Sequence, residues 1–405
     1  MTGGTDSSDP MSADPQSPVS LPPPAGAGVD LLIVAGEHSG DEHAARMVRA
    51  LLARRPELRI CALGGPELAG AGAQLLHDLT ASSVVGLFEV LKNLGYFRAL
   101  FGATLAWIET HRPRAVCFVD YPGFNLRLAR ALHARGLTRQ GGGQIRALYY
   151  ISPQIWAWKA GRRFEMARHL DAMAVIFPFE VRSYADTTVP VEFVGHPFVA
   201  DDYRPPVRLD AAGPVLLLPG SRPQAVARIF PALLGGYARF RASHPERRAV
   251  VLHPSNAIEG ALAGLLRGRK WAALADRVSL RRTGDGVAAA AVLTSSGTMS
   301  MHCALAGIPG AIAYRANPLT YLVGRRLVRV PYLGIANLLL PEPMYPEYLQ
   351  GAATAANLAS ELAAAIDDPA RRARSAAQAA ELRALLHQPA SGTAADWLER
   401  QLGAG

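Results

Sequence analysis

The chain has 405 residues, 50% of them hydrophobic, and 42 Lys and Arg against 33 Asp and Glu give a formal charge of +9. That length suits two domains or one large one, and no run of about 18 uncharged apolar residues offers a membrane-spanning helix. Cys61, Cys117 and Cys303 stand in apolar contexts without disulfide or metal-ligand spacing and read as core residues, while the basic balance favours anionic partners.

Residues 1–28 are rich in Pro, Ser, Gly and Asp, lack the basic and apolar regions of a signal peptide, and read as a disordered tail. Order is predicted from Val29. Asp30 to Ala35 reads as a short buried strand, followed by Gly36-Glu37-His38-Ser39-Gly40-Asp41 and an apolar helical pattern from Ala44 to Leu52. Strand, glycine loop and helix open a Rossmann-like unit, though without G-x-G-x-x-G spacing. Glu37 and Asp41 would repel phosphate, so a sugar hydroxyl is the better ligand; a plain turn with Asp41 as helix cap fits equally. A second strand is predicted from Ile60 to Gly65. The stretch from Val84 to Arg98 has too many apolar side chains for one face, bordered by Lys92 and Arg98. It suits a core helix or contact with acyl chains or a membrane surface.

The next strand, Ala115 to Val119, ends in Asp120-Tyr121-Pro122-Gly123-Phe124-Asn125. A carboxylate at the C-terminal end of a parallel strand lies on the rim where open α/β sheets bind ligands, and there it can act as a general base; capping the helix that starts near Phe124 is the alternative. A strand at Ala147 to Ile151 then leads to Trp156 and Trp158 beside Lys159, Arg162 and Arg163, which suits an apolar, anion-facing wall or a packed corner. After Gly195-His196-Pro197 the Pro- and Asp-rich segment to about Pro214 reads as a linker.

The second half repeats the grammar of the first. Val215 to Pro219 is a strand, Gly220-Ser221-Arg222 a turn, and a helix follows through Leu234. Arg222 can make bidentate bonds to a diphosphate. A further strand is predicted at Ala249 to Leu252, and the run Val287 to Leu293 reads as a strand or as a helix end leading into one. Ser296-Gly297-Thr298 then breaks the strand and restarts a helix, leaving N–H groups and hydroxyls that suit phosphate as well as ordinary N-cap chemistry. Pro309 to Arg315 is another strand, and Tyr321 to Arg329 an apolar helix with three arginines that suits an anionic bilayer or solvent. The predicted fold is α/β, with two Rossmann-like domains at 29–200 and 201–345, a cleft between them, and C-terminal helices at 346–405 packing back towards the N-terminal domain.

Taken together, ten short motifs between about Leu31 and Pro369 resemble those of lipid-A-disaccharide synthases, inverting glycosyltransferases of the two-Rossmann GT-B kind. They are Gly36 to Asp41, Asp120 to Asn125, Tyr150 to Trp158, Phe177-Pro178-Phe179-Glu180, Gly195-His196-Pro197, Leu218 to Arg222, Ser296-Gly297-Thr298, Tyr314-Arg315, Ala336 to Leu339 and Pro346 to Gln350. The resemblance implies transfer of 2,3-diacylglucosamine from its UDP derivative to 2,3-diacylglucosamine 1-phosphate, giving a β-1′,6-linked disaccharide and UDP. It implies Asp120 as the base for the acceptor 6-hydroxyl, with Glu37, Ser39, Gly40, Asn125 and Trp156 on the acceptor side. In the second domain it implies that Gly220, Ser221, Arg222, Ser296, Gly297, Thr298, His302, Tyr314, Arg315, Asn337 and Gln350 hold UDP. Neither a cofactor nor a metal is implied, since no Asp-x-Asp pair stands beside the proposed diphosphate site. The family is peripheral on the cytoplasmic face of the inner membrane, so an anionic membrane surface rather than nucleic acid is the implied further partner, and a homodimer is left open. Three positions depart from the family pattern: His302 and Ala225 replace Glu, and Ala44 replaces Gly. A GT-B glycosyltransferase or epimerase using another UDP-sugar, and a non-catalytic binding paralogue, are the alternatives.

Overall fold

The computed structural model describes residues 19–83, 94–201, 203–284, 286–317, 321 and 330–403. Residues 1–18 of the proposed tail, residues 84–93 of the apolar stretch and residues 322–329 of the basic segment lie outside the described residues.

The first sheet contains β1 (Leu31–Ala35), β2 (Ile60–Gly64), β3 (Gln74–Asp78), β4 (Ala115–Val119), β5 (Arg146–Tyr150), β6 (Ala172–Val175) and β7 (Val191–Phe193). Its order is β3-β2-β1-β4-β5-β6-β7, and β1 pairs in parallel with both β2 and β4. All five side chains of β1 and of β4 are fully buried. A central parallel strand is covered on both faces, which is why these segments are continuous apolar runs rather than alternating ones.

The second sheet contains β9 (Val215–Leu218), β10 (Ala249–His253), β11 (Val278–Arg282), β13 (Ala291–Thr294), β14 (Gly310–Tyr314) and β15 (Glu347–Leu349). Its order, β11-β10-β9-β13-β14-β15, reproduces the doubly wound pattern of the first. The apolar run before Ser296 is not one element. Val287–Ala289 forms β12, paired in parallel with β8 (Val207–Leu209) inside the predicted linker, and the chain then enters β13 at Ala291.

By compactness the chain divides into one unit of residues 1–150, 166–172 and 398–405, and another of 151–165 and 173–397. In the second, helix Pro223–Phe240 buries Val226, Ile229, Phe230, Leu233, Tyr237 and Phe240, the spacing of one helical face. Helix Ala355–Asp367 crosses it closely: a Cβ on Gly236 would stand 2.6 Å from the Cβ of Leu358, so glycine sets the approach. In the first unit, Arg114 and Arg146 donate to the carbonyls of Leu402 and Gln401 at 2.6 Å each and tie down the end of helix Ala394–Gly403. Part of the proline-rich leader is also held there: Trp107 Nε1 donates to the Pro22 carbonyl at 2.9 Å, and the Gln74 amide bonds both Pro23 and Ala25. The three cysteines are free and buried, and burial pushes the Cys61 thiol up to about 11 and Cys117 to about 12.

Candidate active site

In a doubly wound sheet the ligand crevice opens at the carboxyl ends of the two strands where the order reverses. In the first sheet these are β1 and β4, paired through Ala35 and Val119, so the segments beginning at Gly36 and Asp120 flank that point. In the second they are β9 and β13, paired through Leu218 and Thr294, which puts Gly220-Ser221-Arg222 beside Ser295 to Thr298. Each unit thus has its own candidate half-site, built by the same topology.

At the first half-site the chain leaves β4 through two consecutive left-handed residues, Asp120 (φ 45°) and Tyr121 (φ 46°), before Pro122 opens helix Pro122–Ala134. The left-handed conformation costs a non-glycine residue about 1–2 kcal/mol, so the turn must be held. Tyr149 Oη and Asn125 Nδ2 both donate to the Asp120 carbonyl, at 2.6 and 2.8 Å, and the Asp120 N–H donates to the Tyr150 carbonyl at 3.0 Å. The Tyr121 ring lies over Gly36, where any Cβ would come within 2.1 Å of it, and it stacks on Phe124 at 6.2 Å. Gly36 is therefore required by close approach rather than by its own φ. The half-buried Asp120 carboxyl is raised from 3.8 to about 7, first by burial and then by the neighbouring Glu37 charge. Burial and Glu37 also raise the Tyr121 hydroxyl.

Other residues of this loop play parts that spacing alone did not reveal. Asp41 is fully buried and accepts from the N–H groups of Gly65, Glu67 and Leu68 at 2.7, 3.0 and 3.3 Å. It caps the short helix Pro66–Gly70 rather than its own, and its carboxylate is not offered to a ligand. Asn125 is also fully buried and acts as the clamp on the Asp120 turn. Ser39 and Gly40 fall in the first turn of helix His38–Leu52, next to Glu37 at its N-cap. Trp156 belongs to the second unit: its indole N–H donates to buried Glu180 at 3.3 Å, and its ring meets Phe179 edge-on at 5.2 Å.

The second half-site is open and cationic. Ser221 and Arg222 are exposed, with Arg222 at the N-cap of helix Pro223–Phe240, and Gly220 has φ 108°, a left-handed turn that favours glycine. A Cβ on Gly220 would lie 3.4 Å from the Ser295 hydroxyl, so the two loops touch. Gly297 caps helix Thr298–Leu305 and, with Thr298, is exposed, so the leading N–H groups of that helix point from an accessible turn. Ser300 Oγ closes the turn by donating to the Gly297 carbonyl at 2.7 Å.

The remaining residues read as UDP contacts are engaged inside the fold. Asn337, 1% exposed, donates to the Tyr345 carbonyl and to Glu347 and accepts from the Tyr345 N–H, all at 2.7–2.9 Å. The Gln350 amide closes a two-bond latch on Ala316, at 3.1 and 3.3 Å. Arg315 donates to the Ala353 carbonyl at 2.7 Å, next to half-buried Tyr314 at the end of β14. His302 is 8% exposed, shares a 2.6 Å hydrogen bond with the Tyr203 hydroxyl, and packs on Phe198 with ring centroids 3.9 Å apart. These side chains brace the loops. Tyr149 and Tyr203 were missed in the sequence reading; β5 reads Arg-Ala-Leu-Tyr-Tyr, and nothing in that run singles out Tyr149.

The sequence matches the family described as Lipid-A-disaccharide synthetase over residues 31–400. A lipid-A-disaccharide synthase of Geobacter sulfurreducens is 38% identical over 353 residues, covering 84% of this chain and 88% of that protein. Among solved structures, a UDP-GlcNAc 2-epimerase of Neisseria meningitidis bound to UDP-GlcNAc matches 93% of this chain and 100% of its own at a TM-score of 0.57 and 12% identity. The glycotransferase of kitacinnamycin matches 92% and 99% at 0.53 and 16%. At these identities the likeness to solved structures speaks to the fold alone, which is that of GT-B glycosyltransferases and related epimerases.

Proposed function

We propose how this chain, which belongs to the lipid-A-disaccharide synthase family, divides the work of glycosyl transfer between its two half-sites. The activity is that of a lipid-A-disaccharide synthase, a glycosyltransferase using a UDP-sugar. Our reading makes the donor UDP-2,3-diacylglucosamine and the acceptor 2,3-diacylglucosamine 1-phosphate. It assigns the acceptor to residues 29–200 and the donor to 201–345; the first large sheet lies within 31–193, while the second begins at Val215 and takes its last strand, β15, from 347–349.

The observation that carries the mechanism is Asp120 at the end of β4 with its carboxyl raised to about 7. A base with a pKa near neutrality is ionised often enough to act and basic enough to hold the proton it takes. Asp120 accepts the proton of the acceptor 6-hydroxyl as that oxygen attacks the anomeric carbon. The bond from that carbon to the β-phosphate oxygen breaks with inversion, and its electron pair leaves on UDP. Arg222 and the N–H groups around Ser296, Gly297 and Thr298 stabilise the charge that develops on the diphosphate; such preorganised donors act most strongly on the leaving group. Ser221 and Gly220 let the loop approach it. Asn337, Gln350 and Arg315 hold the chain at Tyr345, Ala316 and Ala353, next to Tyr314, and His302 packs on Phe198 from within the helix that starts at Thr298.

A peripheral place on the inner face of the cytoplasmic membrane is part of this reading. Among the described residues no helix is long and apolar enough to cross a membrane. Trp158 and Phe164 are 36% and 43% exposed, and Lys159 and Arg162 lie over the Trp158 ring at 4.7 and 5.4 Å. Exposed aromatic side chains beside cations suit the headgroup region of an anionic bilayer.

The test is a product assay on purified protein with both acylated substrates, comparing wild type with Asp120→Asn. Disaccharide and UDP are expected only when both sugars are present, with far less from the variant. Equal product from the two proteins would remove the base assignment.

A further inference from the structure

The proline-rich leader, read from the sequence as part of a disordered tail, is seated on the first unit. Trp107 Nε1 donates to the Pro22 carbonyl at 2.9 Å, Gln74 Nε2 donates to the Pro23 carbonyl at 2.9 Å, and the Ala25 N–H donates to Gln74 Oε1 at 2.8 Å. Gln74 begins β3, the edge strand of the sheet, and Trp107 lies on helix Leu94–His111. The same strand and helix meet where the Tyr96 hydroxyl and His77 share a hydrogen bond of 2.6 Å. Residues 22–25 thus bridge the two elements. They precede the family-matched range, which begins at residue 31.

These bonds match the chemistry of a polyproline run. Each proline lacks an N–H, fixes its own φ and keeps the residue before it extended. Leu21 to Pro24 therefore presents carbonyl acceptors on a stretch preset towards the polyproline II conformation, and little conformational entropy is lost when it is bound. An indole N–H, which can only donate, suits such a carbonyl. The Gln74 amide has a donor and an acceptor; it takes the carbonyl before Pro24 and the first N–H after it, as a peptide group of a neighbouring strand would. All three bonds go to the leader's backbone, so they select an extended segment poor in N–H groups rather than particular side chains. The hold is light. Pro22, Pro23 and Ala25 are exposed, and the exposed Gly26-Ala27-Gly28, with Gly28 at φ 83°, leads from them towards β1.

We propose that Gln74 and Trp107 form a recognition site for an extended proline-rich segment, and that the chain's own leader is its exchangeable occupant rather than a fixed part of the fold. Aromatic side chains are the usual partners of proline-rich peptides. A tether of a few residues gives the leader an effective concentration of millimolar order, so a site of weak intrinsic affinity stays filled in cis. A proline-rich segment supplied in trans enters when the leader is loosened. Neither side chain belongs to the transfer machinery, so the site is separate from the glycosyl-transfer chemistry.

The test uses the full chain carrying Pro22→Gly, Pro23→Gly and Pro24→Gly, which loosens the leader and leaves the body of the protein untouched. A fluorescein-labelled peptide of residues 19–28 is titrated with this variant and with wild type, and its anisotropy is read. The peptide should bind the glycine variant about tenfold or more tightly than wild type, whose site is already filled, and adding Gln74→Leu to the variant should lower that affinity about tenfold or more. Equal affinity for variant and wild type, affinity unchanged by Gln74→Leu, or binding to neither protein overturns the proposal. A peptide with glycine at the three proline positions should bind more weakly by a similar factor; equal binding overturns the assignment to proline-rich ligands. Should Gln74→Leu lower the melting temperature, Trp107→Phe is read in its place, since it removes the N–H and keeps an aromatic ring.

Discussion

The two sheets share one strand order and one switch point, yet the loops there carry opposite charge. After β1 and β4 stand Glu37 and Asp120; after β9 and β13 stand Arg222 and a neutral Ser-Gly-Thr turn at a helix N-terminus. The topology supplies a crevice twice and says nothing of its chemistry. Charge and burial decide it: burial and then the neighbouring Glu37 charge keep Asp120 near neutral pKa, whereas an exposed guanidinium beside backbone N–H groups receives an anion. The backbone differs in the same sense. The acidic loop is strained, with consecutive left-handed residues clamped by Tyr149 and Asn125, while the cationic loop places glycine at its left-handed position.

The largest effect is expected from removing the base. Asp120→Asn keeps the left-handed turn, since Asn tolerates that region as well as Asp does. Its rate should fall by about 10²–10⁴-fold. The same substitution should stabilise the fold. Asp120 is raised from 3.8 to about 7, so the folded chain binds its proton more tightly than the unfolded chain does. The resulting destabilisation is absent below pH 4, grows as pH rises to about 7, and is constant above. Melting curves should show the variant gaining over wild type at pH 8 and not at pH 4; a gain at pH 4 alone would contradict the assignment. For wild type, kcat/KM should rise about tenfold per unit below pH 7 and flatten above it.

On the other sheet, Arg222→Ala should weaken UDP binding by about 10- to 100-fold, the worth of one charge-assisted bond, with little change in melting temperature because the side chain is exposed. A calorimetric titration with UDP checks it. Asn337→Ala should do the reverse. It leaves the Tyr345 backbone unsatisfied in a buried place and should cost about 1–3 kcal/mol of stability, with UDP affinity altered less than about threefold, the low end of what one hydrogen bond contributes. If Asn337→Ala weakens UDP binding as much as Arg222→Ala does, the split between contact and brace is wrong.

Much of this was legible in the sequence because buried parallel strands are written as unbroken apolar runs. β1, β4, β5, β9, β10 and β14 lie where those runs predict them, to within a residue or two. β3, with its Gln, His and Asp, and the three-residue β15 give no such run and were not foreseen. The positions of Asp120 and Arg222 at strand ends could be read from local order. The direction of a side chain could not. Asp41, Asn337 and Gln350 are polar residues in the first turns of helices, which spacing cannot tell from ligand contacts; their backbone partners lie 24, 8 and 34 residues away, respectively. Pairings over such separations are products of the tertiary fold.

The smallest expected effect sharpens the comparison most, because it concerns the residue where the donor loop departs from the family pattern. His302→Glu restores that pattern, and UDP should bind equally well or up to a few-fold more tightly. His302 is packed on Phe198 and bonded to Tyr203, so a carboxylate in its place loses the ring contact and is partly removed from water. The Tyr203 hydroxyl can donate to it, which offsets some of that cost, and a stability loss of about 1–2 kcal/mol is expected. Separate readings of melting temperature and UDP affinity distinguish the outcomes. Lower stability with affinity kept or improved fits a histidine that braces the helix after Ser296-Gly297-Thr298. Clearly weaker UDP binding in a chain that still melts near wild type would mean that the imidazole itself meets the nucleotide, and that this loop has been rebuilt around it.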